Sequence, residues 1–206
     1  AAMASEEPYN SGIVIRWKDC KQRIDGFGIA QAGWAKELFA FKNREQVMDK
    51  MFGKDGLRLN ILRGEIFPHY WENETDKEFN LNDDIHIELS DSDFINKSDD
   101  LLRRGQLWLT LKAKNKYHIS KLVFSTWSAP AWMKSNGKVS NGRLKTECYT
   151  DFANYLAAFY NAYKSKGIAP YAISPSNEPG YAAPWNSSLW TADEMGKFIT
   201  SYLGPT

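Results

Sequence analysis

The segment Ser176-Asn177-Glu178-Pro179 sets an amide, a carboxyl and a proline side by side, just after an apolar run at residues 171–174. A carboxyl so placed can pass a proton to or from a reacting oxygen, and the Asn177 amide can bond a hydroxyl group. Proline biases the preceding residue toward extended backbone, so Glu178 is expected extended, with its carboxyl held in one direction. Most loop acids are simply solvated; the strand-end position and the Asn and Pro neighbours set this one apart. A second dense stretch is Ser125-Thr126-Trp127-Ser128-Ala129-Pro130-Ala131-Trp132-Met133-Lys134. Trp127 and Trp132 flank Pro130 at a spacing that does not suit one helix face. Trp34, Trp71, Tyr181, Trp185 and Trp190 also follow apolar runs, so six of the eight Trp lie after expected strands; Trp17 and Trp108 do not. Indoles bury area in any core, and some of the six are expected to be packing residues. Grouped on one set of loops, they also suit stacking on the flat apolar faces of sugar rings. Arg63 closes the apolar run 57–62, where a cation leaving a strand needs an acidic partner. It is expected either to make a structural ion pair or to orient a catalytic carboxylate.

The surrounding patterns supply the elements that must hold these groups. Strands are expected at 12–17, with a possible return at 20–25, and then at 26–30, 57–62, 121–125 and 171–174. Helices are expected from Asn43 to about 52, over 101–116, over 149–166 and from Thr191 onward. The best of these is 149–166, where Phe152, Tyr155, Leu156, Phe159 and Tyr163 recur at three- and four-residue spacings and Gly167 follows as the stop. Long polar loops run from Gly64 to about residue 100 and from 126 to about 148. Strand and helix thus alternate, with the long connections after the strands, which is the pattern of an α/β fold and above all of a (β/α)8 barrel. Such a barrel takes about 250 residues, and these 206 hold four βα units. A Rossmann-like sheet would also fit the length, but Gly26-Phe27-Gly28 lacks the third glycine of that fingerprint.

Composition removes other classes. Twenty-six basic residues stand against twenty-five acidic ones, with no long basic run, which argues against nucleic acid and against an anionic membrane surface. No apolar run approaches the ~20 residues of a membrane span. His69, His86 and His118 are scattered and form no zinc pattern with Cys20 and Cys148. The two cysteines are expected to be free thiols. Ser128 and Ser176 have no evident histidine partner, and no phosphate-binding loop occurs. No metal or organic cofactor is expected. Residues 1–12, beginning Ala1-Ala2-Met3, have no leader pattern and are expected to be disordered or a remnant of expression or cleavage.

Taken together, Gly26-Phe27-Gly28 with Trp34, Asn60-Ile61-Leu62-Arg63, Ser125 through Gly137, and Ser176-Asn177-Glu178-Pro179 resemble glycoside hydrolase family 30, in that family's order, from about residue 13 to the end. The resemblance implies a (β/α)8 barrel over 26–206, with residues 13–25 contributing strand to a β-rich side domain. It implies that Glu178 is the general acid/base and that Asn177 bonds the 2-hydroxyl of the sugar in the −1 subsite. Trp127 would wall that subsite, Arg63 would support the nucleophile, and Trp34 would line the cleft. Trp132, Tyr181 and Trp185 would serve substrate binding nearby. The family's nucleophile is a Glu near the end of the seventh strand, and this chain stops before the fifth, so no residue here takes that role. The expected partners are a polysaccharide and the complementary C-terminal half of the barrel. The expected activity is retaining, extracellular hydrolysis of a β-linked polysaccharide. Xylan or glucuronoxylan is favoured over β-1,6-glucan or galactan, and a non-catalytic carbohydrate-binding half-barrel is the alternative.

Overall fold

The structure, a computed structural model, describes residues 16–31, 34–68 and 104–206. Four strands form one sheet: β1 Gly28–Ala30, β2 Ile61–Ile66, β3 Lys121–Thr126 and β4 Ala172–Ser174. Every neighbouring pair is parallel and the spatial order is β1-β2-β3-β4. A sheet that adds each new strand on the same side, without reversing, is the winding of a (β/α)8 barrel; a Rossmann sheet reverses its order partway. The helices are α1 Ala35–Ala40, α2 Arg44–Phe52, α3 Arg104–Tyr117, α4 Tyr149–Ser165 and α5 Ala192–Phe198. Thr191 caps α5 in a reciprocal pair with Glu194: Glu194 N–H donates to the Thr191 hydroxyl, and Thr191 N–H donates to the Glu194 carboxylate.

Strand alternation sorts the side chains of β2 onto two faces. Leu62, Gly64 and Ile66 face the helices, where a Cβ on Gly64 would come within 2.6 Å of the Phe124 ring and 2.9 Å of Gln106 Oε1. Arg63 and Glu65 therefore face the opposite way, into the barrel. On the helix side Phe124 meets Phe159 and Tyr163 at ring separations of 5.1 and 4.9 Å. That side is the dry core, since the apolar stripe of α4, including Phe152, Leu156, Phe159 and Tyr163, is fully buried.

Several expectations need correction. β2 begins at Ile61 and runs to Ile66, so Arg63 lies inside the strand rather than at its end, and the long polar loop begins later than Gly64. The alternation of Leu57, Leu59 and Ile61 mimics a strand, yet Leu57 is exposed and its N–H bonds back to Lys50 C=O in the turn after α2. The expected return over 20–25 is irregular chain, and Arg16 and Trp17 enter a turn closed by Asp19 N–H on Arg16 C=O. The rest of the expected strand at 12–17, together with Trp71, His69 and His86, lies outside the described residues. Helix α1 was not expected at all, being only six residues long and lacking a clear apolar stripe. Cys20 is exposed and Cys148 buried, and the two form no disulfide with each other.

Candidate active site

The parallel ladder between β3 and β4 continues past the strands. Asn177 N–H donates to Thr126 C=O at 2.7 Å, which fixes Asn177 beside the end of β3. The chain then turns sharply: Tyr181 N–H bonds Glu178 C=O at 2.9 Å and Trp190 N–H bonds Pro179 C=O at 2.9 Å. Glu178 takes φ +44°, in the left-handed region that non-glycine residues rarely enter. The extended backbone expected from Pro179 is therefore wrong. The bonds on either side force a turn, and this local requirement outweighs the pre-proline preference. Rare backbone of this kind costs on the order of 1–3 kcal/mol and gathers at functional sites.

Four of the expected residues form one connected group. Arg63 donates from Nη2 to Asn177 Oδ1 at 2.7 Å, and its guanidinium lies over the Trp127 ring, 4.6 Å from the centroid. Asn177 Nδ2 in turn donates to Glu178 Oε2 at 3.3 Å. The group draws on the interior of β2, on the residue after β3 and on the loop after β4, so one strand and the ends of its two successors meet in it. Arg63 thus spends one arm on an amide and its flat face on an indole, which leaves further donors on the guanidinium for an acid. Glu178 is exposed.

The other expected site residues are not joined to this group. Tyr181 and Trp185 make an edge-on pair, 6.1 Å between centroids, in the loop after β4, and are 51% and 54% exposed. Trp34 stands just before α1 with its indole N–H on Ala30 C=O at 2.5 Å, half-buried against the core. Trp132 lies in the short helical turn Ala131–Met133, also packed on the core. Trp190 is 8% exposed and locked among Tyr149, Phe152 and Phe198, so it is a packing residue.

Two residues escaped the sequence reading. Glu65 follows Arg63 on the inward face of β2 and is 7% exposed. Burial pushes its carboxyl up to about 7, against the opposing pull of a hydrogen bond from Asn186 and the positive charge of Arg63. Its signal was present: Leu62, Gly64 and Ile66 continue the strand alternation, which puts residue 65 in the interior. Lys134 is fully buried, its Nζ donating to Ser128 Oγ at 3.0 Å and Ser187 C=O at 2.7 Å. Burial lowers its pKa to about 8. It ties the loop after β3 to the loop after β4, and no local sequence signal marks a lysine for that task. Among the described residues no group of His, Cys, Asp and Glu could hold a metal ion, and no helix is long and apolar enough to cross a membrane.

Comparison with known proteins agrees with this fold. The family model for the glycosyl hydrolase family 30 TIM-barrel domain matches residues 24–206. Over 98% of its length the chain is 36% identical to the glucuronoxylanase XynC of Bacillus subtilis strain 168 and 30% identical to the putative glucosylceramidase 3 of Caenorhabditis elegans. Among solved structures, SrfJ from Salmonella typhimurium superposes with a TM-score of 0.71 at 26% identity, over 89% of this chain and 41% of that one. The chain spans 40% of the length of each of the two curated relatives. A parallel sheet wound in one direction, a carboxylate at the end of its fourth strand and a matching family model over nearly the whole chain place this protein in glycosyl hydrolase family 30, as the N-terminal part of its barrel.

Proposed function

We propose that this chain carries the acid/base half of a retaining glycoside hydrolase acting on a β-linked polysaccharide, with Glu178 as the acid/base. The observation that carries this reading is the linked group Trp127–Arg63–Asn177–Glu178, drawn from three neighbouring strands and the loops after them. Retaining hydrolysis needs two carboxyls about 5–5.5 Å apart, one attacking the anomeric carbon and one protonating the leaving oxygen. Glu178 first donates its proton to the leaving oxygen, then takes one from the water that releases the glycosyl-enzyme. The nucleophile comes from a later strand of the completed barrel, and Arg63 supports it with the guanidinium donors that Asn177 does not use. Asn177, its Oδ1 engaged by Arg63, keeps Nδ2 to share between Glu178 and a sugar hydroxyl. Trp127, its ring held by the Arg63 guanidinium, walls the innermost subsite. Trp34 and Trp132 line the cleft, and Tyr181 and Trp185 stack sugars further out.

Xylan is the favoured substrate, supported by the 36% identity to a glucuronoxylanase; β-1,6-glucan stands second. A polymer of that kind places the enzyme outside the cell. The test is to complete the barrel with a C-terminal half and assay reducing-sugar release from xylan, β-1,6-glucan and glucosylceramide. The completed protein is expected to cleave xylan, and residues 1–206 alone to cleave nothing. Glu178→Gln should lower xylan turnover by about 10²–10⁴-fold, while an aryl glycoside with a good leaving group loses less and azide restores part of its turnover. Equal loss on both substrates without azide rescue overturns the assignment of Glu178. A completed barrel that binds xylan without cleaving it favours the carbohydrate-binding alternative.

A further inference from the structure

Lys134 is fully buried, and the mechanism above gives it no task. Its ammonium is held by neutral oxygens: Nζ donates to Ser128 Oγ at 3.0 Å and to Ser187 C=O at 2.7 Å. Burying a cation is costly, and a hydroxyl and a carbonyl return less than a carboxylate would. What the ammonium supplies is geometry, because it ties two oxygens 59 positions apart in the chain to one point.

Those two oxygens stand beside the two sets of candidate sugar-binding rings. Ser128 directly follows Trp127. Its C=O accepts from the Thr126 hydroxyl at 2.8 Å, and Thr126 C=O accepts from Asn177 N–H at 2.7 Å, so this arm ends at the inner group. Ser187 stands two residues after Trp185. Its hydroxyl lies 3.0 Å from Ala183 C=O and 3.1 Å from Trp185 C=O, as donor, which closes the turn that carries Trp185. The same oxygen accepts from Asn141 N–H at 2.9 Å, and Ser187 N–H donates to Val139 C=O at 3.0 Å. Of these bonds, the one to Lys134 is the one that reaches back toward Trp127. Between the loop base, closed by Trp190 N–H on Pro179 C=O, and the anchor at Ser187, Tyr181 and Trp185 are exposed.

We propose that Lys134 is a positioning residue, whose ammonium clasps Ser128 and Ser187 and so sets the spacing between the subsite walled by Trp127 and an outer subsite formed by Tyr181 and Trp185. The inference rests on the glycosidase reading above. A sugar chain long enough to touch both sets of rings senses that spacing, and a short one bound beside Trp127 does not. Methionine at position 134 keeps an unbranched stem of similar length but cannot donate.

The test compares Lys134→Met and Ser128→Ala with wild type in the completed enzyme. Hydrogen exchange over residues 139–142 and 183–189, read by mass spectrometry, should rise about tenfold in Lys134→Met and about threefold in Ser128→Ala, with helix α4 unchanged in both. KM for a long xylo-oligosaccharide should rise by about the same factors, while kcat and the KM for a short aryl glycoside stay at wild-type values. Should Lys134→Met fail to fold, Ser128→Ala, which removes one arm of the clasp, carries the test. Unchanged exchange over both segments overturns the clasp whether or not the enzyme cleaves xylan. Raised exchange with an unchanged KM, or with KM raised equally for long and short substrates, overturns the role in positioning. Raised exchange in a protein whose wild type cleaves no glycan supports the clasp and counts against the glycosidase reading alone.

Discussion

The two faces of this sheet use the same aromatic chemistry for opposite ends. On the helix side, Phe124, Phe159 and Tyr163 sit ring against ring in dry surroundings. Around the strand ends, Trp127 carries a guanidinium on its face, and Tyr181 and Trp185 touch each other but leave half their surface open. The first set is satisfied by the protein itself. The second holds apolar surface that the described residues do not cover, beside a carboxylate in strained backbone. An aromatic residue reports function here through what it lacks, a partner on one side, and not through its type.

The sharpest way to break this comparison lies within one loop. Trp185 and Trp190 are five positions apart, yet one is exposed and the other lies within Tyr149, Phe152 and Phe198. Trp190→Ala should destabilise the chain by about 3–5 kcal/mol, read as a lowered urea midpoint. Trp185→Ala should change stability by less than about 0.5 kcal/mol and instead weaken binding of xylo-oligosaccharides in calorimetry. Comparable destabilisation by the two would erase the distinction between packing and stacking residues in this loop.

That contrast also marks how far the sequence could be read. β3 was legible almost to the residue, and so was α4, because each has a clean apolar period bounded by a stop. Trp190 and Trp185 were not separable, since both follow a strand in polar sequence and only the arrival of α5 against α4 buries one of them. Arg63, Asn177, Trp127 and Glu178 were singled out as candidate site residues from their places near strands and from the resemblance, and the structure links the four. Their mutual contacts were not legible, because they lie up to 115 positions apart and meet only through strand register. Glu65 was hidden by a boundary error: starting β2 at Leu57 put the residues after Arg63 into a loop, where a buried acid is not sought.

A second comparison sets Trp127 against Trp108. Trp108 lies in α3, half-buried, with its ring edge on Phe39 and the Arg44 guanidinium 5.5 Å from its centroid. Trp108→Ala should cost about 2 kcal/mol of stability and leave kcat/KM of the completed enzyme unchanged. Trp127→Ala removes the ring under Arg63 and, on the proposed function, a sugar platform, so kcat/KM should fall by at least about tenfold with a smaller loss of stability. Stopped assays on matched amounts of folded protein separate the two. A larger catalytic loss from Trp108→Ala would mean that the active face has been assigned to the wrong side of the sheet.

The smallest effect expected is a slope. Burial holds the Glu65 carboxyl at about 7 in the folded chain, against 4.5 for an ordinary glutamate. Between those values the folded state keeps a proton that the unfolded state has released. Glu65 therefore makes stability fall as pH rises from about 4.5 to about 7, by at most about 1.4 kcal/mol per pH unit. Below that window both states hold the proton, and above it both have lost it, so the contribution is flat at each end. Glu45, Asp49 and Glu194 are shifted the other way by their hydrogen bonds and neighbouring cations, and their contributions change at lower pH. Urea unfolding of wild type and Glu65→Gln at several pH values across the window isolates the one group, because every other titration is common to both. The wild type should lose stability relative to Glu65→Gln as pH climbs, and the difference should level off above about pH 7. A difference that stays constant from one end of the window to the other would mean that the Glu65 carboxyl is already ionised there, with Arg63 and Asn186 outweighing its burial.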